Sequence, residues 1–291
     1  MYDRILFPTD GSEGADAVLD RAVDVAAAHD ATLHVLTVAD TTHDSVTRIG
    51  GDVVDVLERE GERIVEEAAA RADRRGVETV TDVLQGGVPE TIAAYARKYD
   101  VDLIVVPTSG KTGLERLFLG SVAESVIRRS TVPVLALRPG EEAVEYPYRE
   151  VLVPTDGSEG ADAALERGVE ATKTHDGSLH LLSVVEVGGL GFGAFSTDQE
   201  AELEADARRV VEEAAEVARR NGVESVNSTV ERASAVHEAI ASYVRAHDVD
   251  LVVIGTRGRT DADAGDGQLL GGVVEKTVRT APVPVLTVPR P

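Results

Sequence analysis

Ile5-Leu-Phe-Pro-Thr-Asp-Gly-Ser-Glu-Gly-Ala-Asp-Ala17 returns almost unchanged as Val151-Leu-Val-Pro-Thr-Asp-Gly-Ser-Glu-Gly-Ala-Asp-Ala163, so the chain is a tandem repeat. In each copy a short β-rich run stops at a proline, passes through Asp-Gly-Ser and enters an alanine-rich segment with helical spacing. This reads as a strand-to-helix elbow: Gly11 or Gly157 makes the sharp turn and Ser12 or Ser158 caps the helix. The unpaired N–H groups of such a helix start suit an anion.

Outward from the elbow, strand and helix patterns alternate. Leu33–Val38 is a nearly continuous apolar strand, as expected where both sheet faces are covered. Val53 to Arg75 has helical spacing and Gly76 ends it, while Thr79–Leu84 is a more polar strand, nearer an edge. Pro89 opens a helix with Ile92 and Tyr95 inward. Val101–Val106 is the most apolar strand and runs into the glycine loop Pro107-Thr-Ser-Gly-Lys-Thr-Gly113. Ser121 and Glu124 suggest a capping box for the next helix, and Val132–Leu137 is a fifth strand. The second copy repeats the order, with strands at Val151–Val153, Leu179–Val185, Val226–Val230, Leu251–Ile254 and Val283–Val288.

The alternation predicts an α/β fold of two doubly wound domains, each a parallel sheet with helices on both faces and right-handed crossovers. The expected division is residues 1–140 and 149–291, with the turn-rich and charged stretch 141–148 as linker. Ligands of such sheets sit beyond the carboxyl ends of the strands where the winding reverses. With strands one and four central, the Asp10 elbow and the loop from Gly110 to Ser121 converge there.

Composition narrows the functions. The 291 residues include no Cys, which excludes disulfides and thiolate sites, and no run is long and apolar enough to span a bilayer. The start has no signal-peptide core, so a cytoplasmic protein is expected. The formal charge is −23, with lysine only at Lys98, Lys111, Lys173 and Lys276. Such a field repels nucleic acid and anionic membranes, and the acidic, lysine-poor surface resembles halophile composition. His34 and His180 fall within strands and read as packed rather than catalytic, while His29 and His175 fall at helix ends. No His stands beside a nucleophile, so binding without turnover is expected.

Three features carry a family resemblance: the Pro-Thr-Asp-Gly-Ser elbow, a Gly-x-x-Gly-(nine residues)-Gly-Ser/Thr loop pattern, and Thr131-Val-Pro-Val-Leu135 with Pro282-Val-Pro-Val-Leu286. Both halves resemble the universal stress protein family in its tandem two-domain form, across nearly the whole chain. The resemblance implies a five-stranded sheet of order 3-2-1-4-5 in each half, and pairing of the halves through strand five. A further homodimer is left open by it.

In ATP-binding members the elbow and the end of strand two hold adenine and ribose, and the glycine loop holds the phosphates. This maps to Pro8, Thr9, Asp10 and Val38, and to Pro154, Thr155, Asp156 and Val184. The phosphate loop maps to Gly110, Lys111, Gly113, Gly120 and Ser121, and to Gly255, Arg257, Gly258, Arg259, Gly271 and Gly272. Asp10 and Asp156 are read as ligand contacts because the neighbouring serine suffices for the cap. Ser121 can hold phosphate, cap its helix, or do both.

Neither loop matches fully. Pro107 stands where the first glycine belongs and offers no N–H. In the second half twelve residues separate Gly258 from Gly271, Gly272 replaces the hydroxyl residue, and Asp261-Ala-Asp-Ala-Gly-Asp-Gly267 puts carboxylates near the phosphates unless Mg²⁺ bridges them. That insertion resembles a calcium loop but lacks the bidentate acid at Gly272, so a solvated insertion is the default. Gly188-Gly-Leu-Gly-Phe-Gly-Ala194 is either a lid or an ordinary loop. The expected function is binding of ATP or another adenine nucleotide. The alternatives are a slow ATPase or phosphotransferase, and a structural or partner-binding module.

Overall fold

The computed structural model describes residues 2–41, 50–108, 119–140, 146–187, 197–258 and 270–290, the side chains of 50–56 and 197–198 excepted. Gly110, Lys111, Gly113 and Arg259, the glycine stretch 188–194 and the acidic insertion 261–267 lie outside them. The chain divides into two compact units, Met1–Glu142 and Ala143–Pro291.

The first unit runs β1 (Arg4–Pro8), α1 (Glu13–His29), β2 (Thr32–Asp40), α2 (Gly50–Asp73), β3 (Thr79–Gly86), α3 (Val88–Lys98), β4 (Leu103–Pro107), α4 (Ser121–Arg129) and β5 (Val134–Leu137). Its strands are all parallel and pair in the order β3-β2-β1-β4-β5. The winding reverses between β1 and β4. Right-handed crossovers therefore put α1 and α2 on one face, α3 and α4 on the other. Ile5, Leu6, Phe7, Leu33, Val35 and Ile104 have no solvent exposure, which is why β1, β2 and β4 read as unbroken apolar runs. Edge strand β3 has no fully buried residue, as its polar sequence indicates.

The second unit repeats this as β6 (Glu150–Pro154), α5 (Glu159–Thr174), β7 (Ser178–Glu186), α6 (Thr197–Arg220), β8 (Ser225–Ala233), α7 (Val236–Ala246), β9 (Leu251–Gly255), α8 (Gly272–Thr280) and β10 (Val285–Val288). Its strand order is β8-β7-β6-β9-β10.

Helix ends follow local chemistry with two departures. The Ser12 and Ser158 hydroxyls accept from the N–H of Ala15 and Ala161, capping α1 and α5. The capping box expected at Ser121 is not formed. Gly120 is the N-cap with extended backbone, no side chain caps α4, and Ser121 is already helical. The Gly120 N–H donates to the Thr108 carbonyl, a long-range tie that fixes the helix start one residue early. The second departure is the use of aspartate where helices commonly end on glycine: Asp30, Asp100, Asp176 and Asp248 all have φ between 49° and 54°.

A buried polar network lies on the α3 side of the first sheet. The Tyr95 hydroxyl donates to Asp82 Oδ2 at 2.6 Å, so it accepts from His34 Nδ1 at 3.0 Å. In the second unit His180 Nδ1 lies 3.0 Å from the Tyr243 hydroxyl, and its Nε2 donates to Glu150 at 2.8 Å. Both strand histidines are thus packed, as their place in the sequence suggests. Burial lowers the His34 pKa, with Arg4 adding to the effect and Asp82 opposing it; burial also lowers His175 and His237.

A histidine whose folded pKa is depressed binds fewer protons than in the unfolded chain as pH falls through the ordinary 6.5. The stability it supplies is complete above 6.5 and is lost as pH drops toward the folded value. The melting temperature is therefore expected to fall between about pH 7.5 and about pH 5.5, where histidines titrate and most carboxylates do not. Thermal melts across that interval test this; a flat or rising profile would contradict it.

Candidate functional site: two crevices at the sheet reversal points

The β1–β4 ladder ends at Leu6 and Ile104, and the β6–β9 ladder ends at Leu152 and Val252. Beyond those pairs the central strands part. Each unit has a cavity at this place, about 270 Å³ in the first and about 280 Å³ in the second.

The elbow forms part of the lining of the first cavity. The Thr9 N–H donates to Leu36 O at 2.8 Å and the Thr37 hydroxyl donates to Thr9 O at 2.9 Å, which ties the elbow to β2. Gly11, with φ of 68°, turns the chain. Asp10 Oδ1 accepts from Ser12 N–H at 3.0 Å, so the aspartate does take part in the turn as well as lining the cavity. Pro8, Thr9, Asp10, Val38, Gly120 and Ser121 meet around this space, joined by Pro107. The structure supplies what the sequence reading missed: an apolar wall of Leu36, Val88, Ile92, Val106 and Val122. The one available signal was the helical spacing that turns Ile92 inward.

The second cavity repeats the plan. Asp156 Oδ1 accepts from Ser158 N–H at 3.0 Å, and Pro154, Thr155, Asp156, Val184, Gly255, Arg257, Gly258 and Gly272 line the space. Gly271 is the N-cap of α8 and its N–H donates to Thr256 O, so it supports the rim and is absent from the lining. Glu186, Val236 and Val274 complete the walls and were not singled out from sequence.

Each site therefore sets a carboxylate turn and a helix start against apolar side chains. The N–H groups of Ser121 and Val122, or of Gly272 and Val273, open the first turns of α4 and α8 with no intrahelical acceptor. Such ends attract anions, and the apolar wall suits a flat ring. Among the described residues no cluster of three or more metal-ligating side chains is present, and no helix is long and apolar enough to cross a membrane.

Two repeats of a doubly wound α/β unit, each with a cavity at its reversal point, place the chain among the open doubly wound α/β proteins, whose ligands bind at that point. The profile of the universal stress protein family matches residues 1–138 and 147–289, and the chain belongs to that family. A universal stress protein of Methanocaldococcus jannaschii is 35% identical over 141 residues, 47% of this chain and 83% of that one. The crystal structure of a universal stress protein from Archaeoglobus fulgidus matches 99% of this chain and 98% of its own, at 25% identity and a TM-score of 0.77. A universal stress protein solved in complex with cAMP matches 48% of this chain and 99% of its own, at 27% identity and a TM-score of 0.40.

Proposed function

We propose that this is a stress-response protein that binds an adenine nucleotide, ATP in the first instance, in one or both units. It acts by conformation or partner binding rather than by turnover. The observation that carries the reading is the meeting, in each unit, of the aspartate elbow with a helix start across an apolar-walled cavity. Adenine fits the apolar wall, Asp10 or Asp156 has the chemistry to accept from ribose hydroxyls, and the helix start suits phosphate. Membership of the universal stress protein family, in which one solved member is held in complex with cAMP, supports a nucleotide ligand. Mg²⁺, where present, would travel on the phosphates.

Calorimetric titration of the full chain with ATP tests this. Binding is expected in the wild type, and the Asp10→Ala/Asp156→Ala double variant is expected to bind about tenfold to about a hundredfold more weakly, the range for losing hydrogen bonds to a charged group. Wild-type silence at millimolar ATP would remove the nucleotide. Steady phosphate release by the wild type, lost in that double variant, would instead favour an ATPase.

A further inference from the structure

The two cavities are not equivalent, and the difference begins at the end of the fourth strand of each unit. Thr108 N–H donates to Leu137 O and Thr256 N–H donates to Val288 O. Successive strand residues turn their amides to opposite sides, so positions 107 and 255 face β1 and β6. On that side the ladder has already ended, and the crevice begins. Gly255 brings an N–H to it; Pro107 brings none.

Gly255 also lets the elbow helix close. A Cβ there would run into the Gly160 carbonyl, and a Cβ on Gly160 would run into the Arg257 carbonyl, both far inside van der Waals contact. These two glycines lock the segment 255–258 onto the first turn of α5. Gly258 comes near enough to the elbow that a Cβ on it would lie 3.0 Å from Asp156 Oδ2. Gly160 is buried, whereas Gly14, its counterpart in the first repeat, is half-buried.

The locked segment carries a cation. Arg257 is among the residues lining the second cavity, and the planar fork of a guanidinium matches phosphate oxygens. In a chain of net charge −23 an arginine on the pocket lining offsets a field that otherwise repels a polyphosphate.

We propose that ATP is held at one site per chain, in the second unit, with Arg257 on its phosphates and Gly160 positioning the segment that carries Arg257. This rests on the nucleotide reading above and goes further by assigning the half and the phosphate ligand. Titration of the full chain with ATP, and in parallel with adenosine, tests it. One ATP per chain is expected. Arg257→Gln is expected to weaken ATP by about tenfold or more while changing adenosine by less than about threefold, since a charge-assisted pair to phosphate is lost and the base contacts stay.

Two equal sites per chain, or a single site that Arg257→Gln leaves intact and Asp10→Ala removes, would overturn the assignment and keep the nucleotide reading. Equal losses for ATP and adenosine would overturn the phosphate role of Arg257. An absence of ATP binding in the wild type would remove both the assignment and the reading beneath it.

Discussion

Alanine at Gly160 is expected to lower the melting temperature of the second unit by about 6–12 °C. The added methyl group meets the Arg257 carbonyl, part of a backbone that Gly255 in turn holds against Gly160. A flexible side chain could rotate away at little cost, but here backbone faces backbone, and relief requires α5 or the β9 end to shift. Overpacking of this kind costs about 3 kcal/mol, and each kcal/mol moves the midpoint of a domain this size by about 2–4 °C. Gly272→Ala is the matched control, because a Cβ at Gly272 meets nothing within 4 Å. Its effect is expected to stay within about 0.5 kcal/mol. Scanning calorimetry of the full chain reads both; equal midpoints for the two variants would mean that the glycine interlock contributes nothing to the fold.

Phenylalanine at Tyr95 is expected to destabilise more than phenylalanine at the repeat-related Tyr243. Loss of the Tyr95 hydroxyl strands the buried His34 Nδ1–H and removes a 2.6 Å bond from Asp82. Unsatisfied buried groups cost about 1–3 kcal/mol each, and Asp82, being half-buried, recovers part of its loss from water. The sum is about 3 kcal/mol. At Tyr243 the buried His180 Nδ1 loses its partner but no carboxylate does, and His180 keeps its Nε2 bond to Glu150, so the expected loss is smaller, about 1–2 kcal/mol. Denaturant unfolding of the two variants measures the difference. Equal losses, or a neutral Tyr95→Phe, would show that the first network adds no stability.

Much of the fold is legible in the residues because its causes are local. The serine caps act over three residues, the Asx turns at Asp10 and Asp156 over two, and the apolar periods of β1, β2 and β4 report their burial on both faces. The Ser121 capping box failed as a reading because Gly120 answers to Thr108, on the other side of the glycine loop. The His34–Tyr95 bond spans 61 positions. Asp102 Oδ2 accepts from the N–H groups of Asp3 and Arg4, 99 and 98 positions away, and Asp250 repeats this with Arg149 and Glu150. No window of sequence shows such partners, since loop closure brings them together only when the sheet forms.

The candidate site divides in the same way. The doubled elbow by itself determined that there are two units and that each places an aspartate and a capped helix at a strand end. Glu13-Gly14-Ala15 and Glu159-Gly160-Ala161 are the same three residues, and nothing local tells them apart. Only the tertiary structure decided that Gly160 is buried, with the Gly255 and Arg257 backbones against it, while Gly14 is half-buried. Close approach of two backbones depends on the missing Cβ of both partners, and one of each pair lies roughly a hundred residues further along the chain.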